Sequence, residues 1–245
     1  MPFQPIVSQR LYQQVANQIG ELIRTGQFAA GHRLPPERDL AKSLGASRPV
    51  VREAMIALEL AGLVEVRGGS GAYVKAPSEW VANGNGGSLL HVLTDSGPGP
   101  FDVISARVMI EGEIVFAAAS EATPDDLREI AETITMMQSA IALGEPSERI
   151  DRLFHTRIAA ATHNAVLPPI VESLWDGQFA PVFTALSTRT HLPQNRAATL
   201  RDHTRIADAL MAHDAVEARD AMRAHLGEVM RVLMRDDDVD AGTGP

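Results

Sequence analysis

LPPERDLAKSLGASRPVVREAMIALELAGLVEVRGGSGAYV, residues 34–74, is the stretch that decides the architecture. Pro35-Pro36 punctuates a helix start, and Glu37 to Leu44 reads as a short helix stopped by Gly45. Ser47 can cap a further helix running to about Ala61. Pro49 falls in its first turn, where a missing N–H costs little, and Gly62 ends it. Residues 63–67 and 72–74 alternate around the glycine-rich turn 68–71, the pattern of a β-hairpin. Upstream, Leu11, Val15, Ile19 and Ile23 recur every four residues as the stripe of an amphipathic helix, with Ser8 as its cap and Gly26 as its end. Helix, helix, helix, hairpin is the order of a winged helix-turn-helix.

In such a motif the first residues of the second helix of the pair meet base edges in the major groove. Here they are Ser47-Arg48-Pro49-Val50-Val51-Arg52. Arg48 and Arg52 are four apart and share a helix face, and a guanidinium fork matches the two acceptors of guanine. Ser47 can cap the helix and bond a phosphate. Arg38 is placed to reach the backbone or a base, and Arg67, beside the glycine turn, a minor groove or a phosphate. The bland alternative is a three-helix fold with solvated arginines.

The whole chain has 245 residues and a formal net charge of −9, which by itself argues against nucleic acid. The distribution reverses this: residues 1–77 hold nine Lys and Arg against six Asp and Glu, leaving 13 against 25 for the remainder. The absence of cysteine excludes disulfides, thiol catalysis and cysteine–zinc sites. No long uncharged apolar run suggests a membrane helix, and MPFQPIVSQR lacks the apolar core of a secretory signal, so a cytoplasmic protein is expected.

Residues 76–100 are rich in Gly, Asn, Ser and Pro and read as a linker, with a short helical turn at 89–93. From Phe101 onward the pattern is helical, with helices expected at 101–121, 124–143, 146–163, 167–188, 194–213 and 214–235, an antiparallel bundle. The expected organisation is a mainly α protein: a winged helix-turn-helix domain at 1–77, a linker at 78–100, an all-helical effector and dimerisation domain at 101–235 and a disordered tail at 236–245.

The acidic half contains a candidate ligand set. Asp151 and His155 lie four apart on one helix, His203 near the start of a later helix and His225 within the next. One carboxylate and three imidazoles suit a divalent transition metal such as Zn²⁺, Mn²⁺ or Ni²⁺, although such a pair is common and a helical His is usually a surface or capping residue. Arg107 and Glu111, also four apart, are either an exposed ion pair or a carboxylate-binding fork with its orienting acid. His163-Asn164 at a helix end is a candidate for the pocket wall, whereas His32, His91, His191 and His213 read as surface residues.

The N-terminal segment resembles the GntR family of bacterial repressors. The resemblance rests on Gly31-x-Arg33-Leu34-Pro35-Pro36-Glu37-Arg38-Asp39-Leu40-Ala41, Ser47-Arg48, Val51-Arg52-Glu53-Ala54 and Leu58-x5-Val64. It implies DNA contacts at Arg38, Ser47, Arg48, Arg52 and the wing glycine Gly69. Pro49-Val50 departs from the polar residues common there. Residues 101–235 resemble the FCD domain of the FadR branch, which implies a metal on Asp151, His155, His203 and His225 and an effector carboxylate on Arg107; Asn164, at the candidate pocket wall, is expected as a further effector contact. Within that branch, Gly62-Leu63-Val64-Glu65-Val66-Arg67, Gly99-Pro100-Phe101 and Ala161-Thr162-His163-Asn164 are similar to hexuronate-utilisation repressors. This implies a homodimer on a palindromic operator, responsive to galacturonate, glucuronate, fructuronate or a related acid. Two other readings remain: a metal-dependent sugar-acid enzyme with a DNA-binding appendage, for which Glu111 is the nearby acid to nominate as base, and an architectural DNA binder. The chain has no H-E-x-x-H and no nucleophile motif.

Overall fold

The computed structural model describes residues 10–67, 69–80 and 97–235; Ser8, Gly68, the helical turn at 89–93 and the acidic tail lie outside them. The chain divides into two compact units. The first takes the residues up to Phe101 together with Ala180–Leu186, and the second Asp102–Phe179 with Ser187–Arg235.

The first unit contains α1 (Leu11–Arg24), α2 (Glu37–Leu44) and α3 (Arg48–Leu60), followed by β1 (Val64–Arg67) and β2 (Gly71–Val74). Tyr12, Val15, Ala16, Ile19 and Ile23 are buried, whereas Leu11 is 54% exposed. The apolar stripe therefore begins one residue later than its four-residue spacing suggests, because α1 starts at Leu11 with Arg10 as N-cap. Ser47 caps α3, its Oγ accepting from the Val50 N–H, and Val51, Ala54, Met55 and Leu58 face inward. Gly45 closes α2 in the left-handed region at φ 63°, which lets the chain turn into α3 within three residues. The two strands pair antiparallel, with Val64 opposite Val74 and Arg67 opposite Gly71. A third segment extends the ladder: Arg33 bridges Tyr73, and the Leu34 N–H donates to the Ala72 carbonyl.

The helices that follow are α4 (Pro100–Glu121), α5 (Pro124–Leu143), α6 (Glu148–Ala160), α7 (Leu167–Asp176), α8 (Pro181–Arg189), α9 (Arg196–Met211) and α10 (Ala215–Leu233). Thr123 and Asp126 form a capping box that starts α5, with Pro124 in its first turn. The single helix expected over 167–188 is instead α7, a 3-10 turn at Gly177–Phe179 and α8. Pro181 explains the break: it brings no N–H and biases Ala180 away from helical geometry. The core of the second unit is aliphatic, with Val115, Ile130, Phe154, Ile158, Val171, Ile206, Leu210, Met222 and Leu226 buried in one cluster. α5 packs on both α6 and α9, and α9 packs on α10. This lays the inward faces of α6, α9 and α10 around a common interior.

Candidate functional site

α6 carries Asp151 and His155 one turn apart, α9 carries His203 and α10 carries His225. Their packing brings four donor atoms together. His203 Nε2 lies 3.3 Å from His155 Nε2, 3.2 Å from His225 Nε2 and 3.3 Å from Asp151 Oδ1, and Asp151 Oδ1 is also 3.3 Å from His155 Nε2. The three imidazoles are buried. Asp151 is 24% exposed at its side chain, yet its Oδ1 is buried without a hydrogen-bond partner.

The opposite ring nitrogens explain that orphan. His155 Nδ1 faces Glu111 Oε2 at 2.5 Å, His225 Nδ1 faces Asp202 Oδ2 at 3.4 Å and His203 Nδ1 faces the Met137 sulfur at 3.2 Å. A neutral imidazole has one N–H, and an acceptor at Nδ1 holds the proton there. In their neutral forms the three Nε2 atoms present lone pairs to one another and to a carboxylate oxygen. Four electron-rich atoms at such distances repel unless a cation sits among them. Neighbouring donors on a first-row ion, with bonds of about 2.0–2.2 Å, lie at about this separation. The residues present therefore fit a divalent transition metal, with Glu111 and Asp202 as the carboxylates that orient two of its imidazoles.

Electrostatics prepare the same set. Burial drives the His203 pKa well below its ordinary value, and burial likewise lowers that of His225 against the pull of Asp202. Both shifts favour the neutral ring, with its proton on Nδ1 and Nε2 free to bind a cation. Burial also pushes His155 down, but the Glu111 and Asp151 carboxylates together outweigh it and the net shift is upward, so His155 is the ring whose proton a bound cation must displace. Burial pushes the Asp151 carboxyl up, and the histidines, His203 first, overcome this and hold it below its usual range. For Glu111, burial opposes ionisation while the Arg107 guanidinium and His155 favour it, leaving a pKa lowered to about 2.

Arg107 and Glu111 are a buried pair, at 3% and 2% side-chain exposure, rather than a solvated one. Arg107 Nε donates to Glu111 Oε1 at 2.5 Å, and the guanidinium lies over the Trp175 ring at 4.2 Å. Trp175 also stands beside His155, with ring centroids 5.4 Å apart, and its Nε1 is buried without a partner. The structure brings the four expected donors together beside Arg107 and Glu111; Trp175, Met137 and Asp202 join them, and no motif singles these out. Asn164 stays outside the cluster: it is exposed after α6, and its Oδ1 accepts from the Val166 N–H at 3.0 Å. His163, left-handed at φ 55°, pairs with Asp126 at 3.2 Å.

In the first unit, Ser47 and Arg48 are exposed at the start of α3, and the Arg38 side chain is 82% exposed. Arg52 differs. Its guanidinium spans α3 to α2, with Nη2 3.1 Å from Glu37 Oε2, and only 11% of its side chain is exposed. Arg67 is exposed on β1, paired with Glu65 at 2.9 Å and stacked 4.5 Å from the centroid of Tyr73. Gly69, at φ 67°, forms the turn beside it.

Comparison with known proteins matches both units. Residues 11–74 match the bacterial regulatory proteins of the gntR family, and residues 102–228 match the FCD domain. The Uxu operon transcriptional regulator of Escherichia coli K12 is 36% identical over 236 residues, 95% of this chain and 90% of that protein. The Exu regulon transcriptional regulator of the same strain is 35% identical over 234 residues, 93% of this chain and 86% of that protein. Among solved structures, Streptococcus agalactiae GntR is 26% identical with a TM-score of 0.47, covering 90% of this chain and 99% of that one. The chain thus belongs to the GntR family of bacterial transcription regulators, carrying a winged helix-turn-helix and an FCD domain, and is not an enzyme.

Proposed function

We propose that this regulator is a repressor whose operator affinity is set by a small carboxylate, a hexuronate or related sugar acid, bound at a divalent metal on Asp151, His155, His203 and His225. The observation that carries the reading is the convergence of three buried imidazole nitrogens with the Asp151 Oδ1, all within 4.8 Å of one another. A divalent ion there, zinc or else manganese or nickel, supplies a Lewis-acid contact for one carboxylate. Arg107 supplies the second contact. Glu111 engages its Nε and Nη2, and a guanidinium has five donors, so N–H groups remain for an incoming acid. The hexuronate class is supported by the names of the Uxu operon and Exu regulon regulators to which the chain is similar.

DNA contact falls to Arg38, Ser47, Arg48, Arg52, Arg67 and Gly69 in residues 1–77. A homodimer working in the cytoplasm would read a palindrome, because two-fold protein symmetry is mirrored in operators. Residues 78–100 serve as linker and 101–235 as effector and dimerisation domain. Asn164 has a turn-stabilising role in this scheme. The test is metal analysis of natively purified protein combined with operator binding. About one divalent ion per chain is expected, lost in His203→Ala, and a hexuronate should weaken operator binding only by the metal-loaded protein. Metal-free protein with an unchanged hexuronate response would overturn the reading.

A further inference from the structure

Glu111 is a buried carboxylate beside a centre that already contains the partly buried Asp151. Orienting His155 does not require its charge, since any acceptor opposite Nδ1 would fix the tautomer. Cancelling Arg107 does. With Asp151 and Glu111 both ionised, Arg107 and a divalent ion leave the buried site with one net positive charge. Asp202, the remaining acid on the histidines, is 37% exposed and solvent-screened, and its charge only adds to the negative side.

We propose that Glu111 sets the charge specificity of the effector site, so that it accepts monocarboxylates and rejects dicarboxylates of the same carbon skeleton. This rests on the metal-and-carboxylate reading above and deepens it. A monoanion brings the buried site to neutrality. A dianion overshoots by one charge in a low-dielectric interior, where an unpaired charge is expensive. Glu111→Gln keeps an acceptor for His155 Nδ1 and removes one negative charge, so the balance should then favour a dianion.

The test is calorimetric titration of the zinc-loaded full-length protein with galacturonate and with the matched open-chain pair galactonate and galactarate, which differ only in the second carboxylate, with zinc content measured for each variant. Wild type should bind galactonate at least about tenfold more tightly than galactarate. Glu111→Gln should narrow or invert that ratio by about tenfold, while Glu111→Asp should keep it. If Glu111→Gln loses zinc, Arg107→Gln serves instead; it removes a positive charge and should widen the ratio. Galactarate binding to wild type as tightly as galactonate overturns the inference and leaves the carboxylate reading standing. An unchanged ratio in a zinc-retaining Glu111→Gln, or in Arg107→Gln, also overturns it. If none of the three acids binds, the carboxylate reading falls and this inference with it.

Discussion

At the scale of single residues, the two arginines of α3 separate by environment. Arg48 is exposed at the first turn, whereas Arg52 is drawn down onto Glu37. Arg48→Ala should cost about 1–3 kcal/mol at the operator and relax base choice, with a smaller effect on the melting temperature than Arg52→Ala. Arg52→Ala also strips a largely buried partner from Glu37, so it should lower the melting temperature as well as operator affinity. Melting curves and binding to operator and random DNA, measured side by side, distinguish the two; equal effects on both DNAs would reduce Arg48 to a phosphate contact. Trp175 is the residue whose importance no spacing announces. Its Nε1 is buried without an acceptor, a cost of about 1–3 kcal/mol, and its ring touches both Arg107 and His155. A bound sugar hydroxyl would satisfy it. Trp175→Phe should therefore weaken hexuronate binding by roughly tenfold with metal content unchanged; unaltered affinity would assign the indole to packing alone. Asp151 and His155 are legible as a pair because a four-residue spacing survives in one dimension, whereas His203 and His225 join them through the resemblance to the FCD domain. A lone Trp or Met becomes part of the site only when α7 and α5 are brought against it.

At the scale of elements, start and stop chemistry was legible where it is local. Ser47, Gly45, Thr123-Pro124 and Gly62 act where their backbone roles place them. What was not legible depended on competition between signals. An apolar run over 167–188 outweighed a single Pro181, yet that proline divides it. The short ladder of Arg33 and Leu34 on β2 has no alternation of its own and exists only because the hairpin offers an edge. Three helices, α6, α9 and α10, each contribute to the donor set, so an ion that binds only their assembled form stabilises that assembly by mass action. The gain is about 2.7 kcal/mol at a hundredfold excess over Kd. Chelation should lower the melting temperature of the wild type and leave that of Asp151→Asn almost unmoved. A wild-type curve indifferent to a strong chelator would argue that the histidines are held by hydrogen bonds alone.

At the scale of the molecule, a DNA reader and a carboxylate site on one chain have use for each other only if their binding free energies are coupled. Coupling is reciprocal: whatever factor a hexuronate removes from operator affinity, the operator must remove from hexuronate affinity. A coupling of about 1–3 kcal/mol is typical, which corresponds to a shift of roughly fivefold to 150-fold in either direction. Arg107 isolates the effector side of this cycle, because it belongs to the second unit and α3 to the first. Arg107→Ala should leave operator binding without effector intact and reduce the response to galacturonate, glucuronate or fructuronate. The substitution also leaves Glu111 buried without its guanidinium, so a melting curve must accompany the measurement, and Arg107→Lys, which restores the charge but not the planar fork, should recover stability better than response. The decisive measurement is operator affinity of the three proteins with and without each acid, paired with hexuronate affinity with and without operator DNA. Unequal factors in the two directions would mean that the acid acts through something other than this equilibrium, and a full response in Arg107→Ala would remove the guanidinium from the effector site.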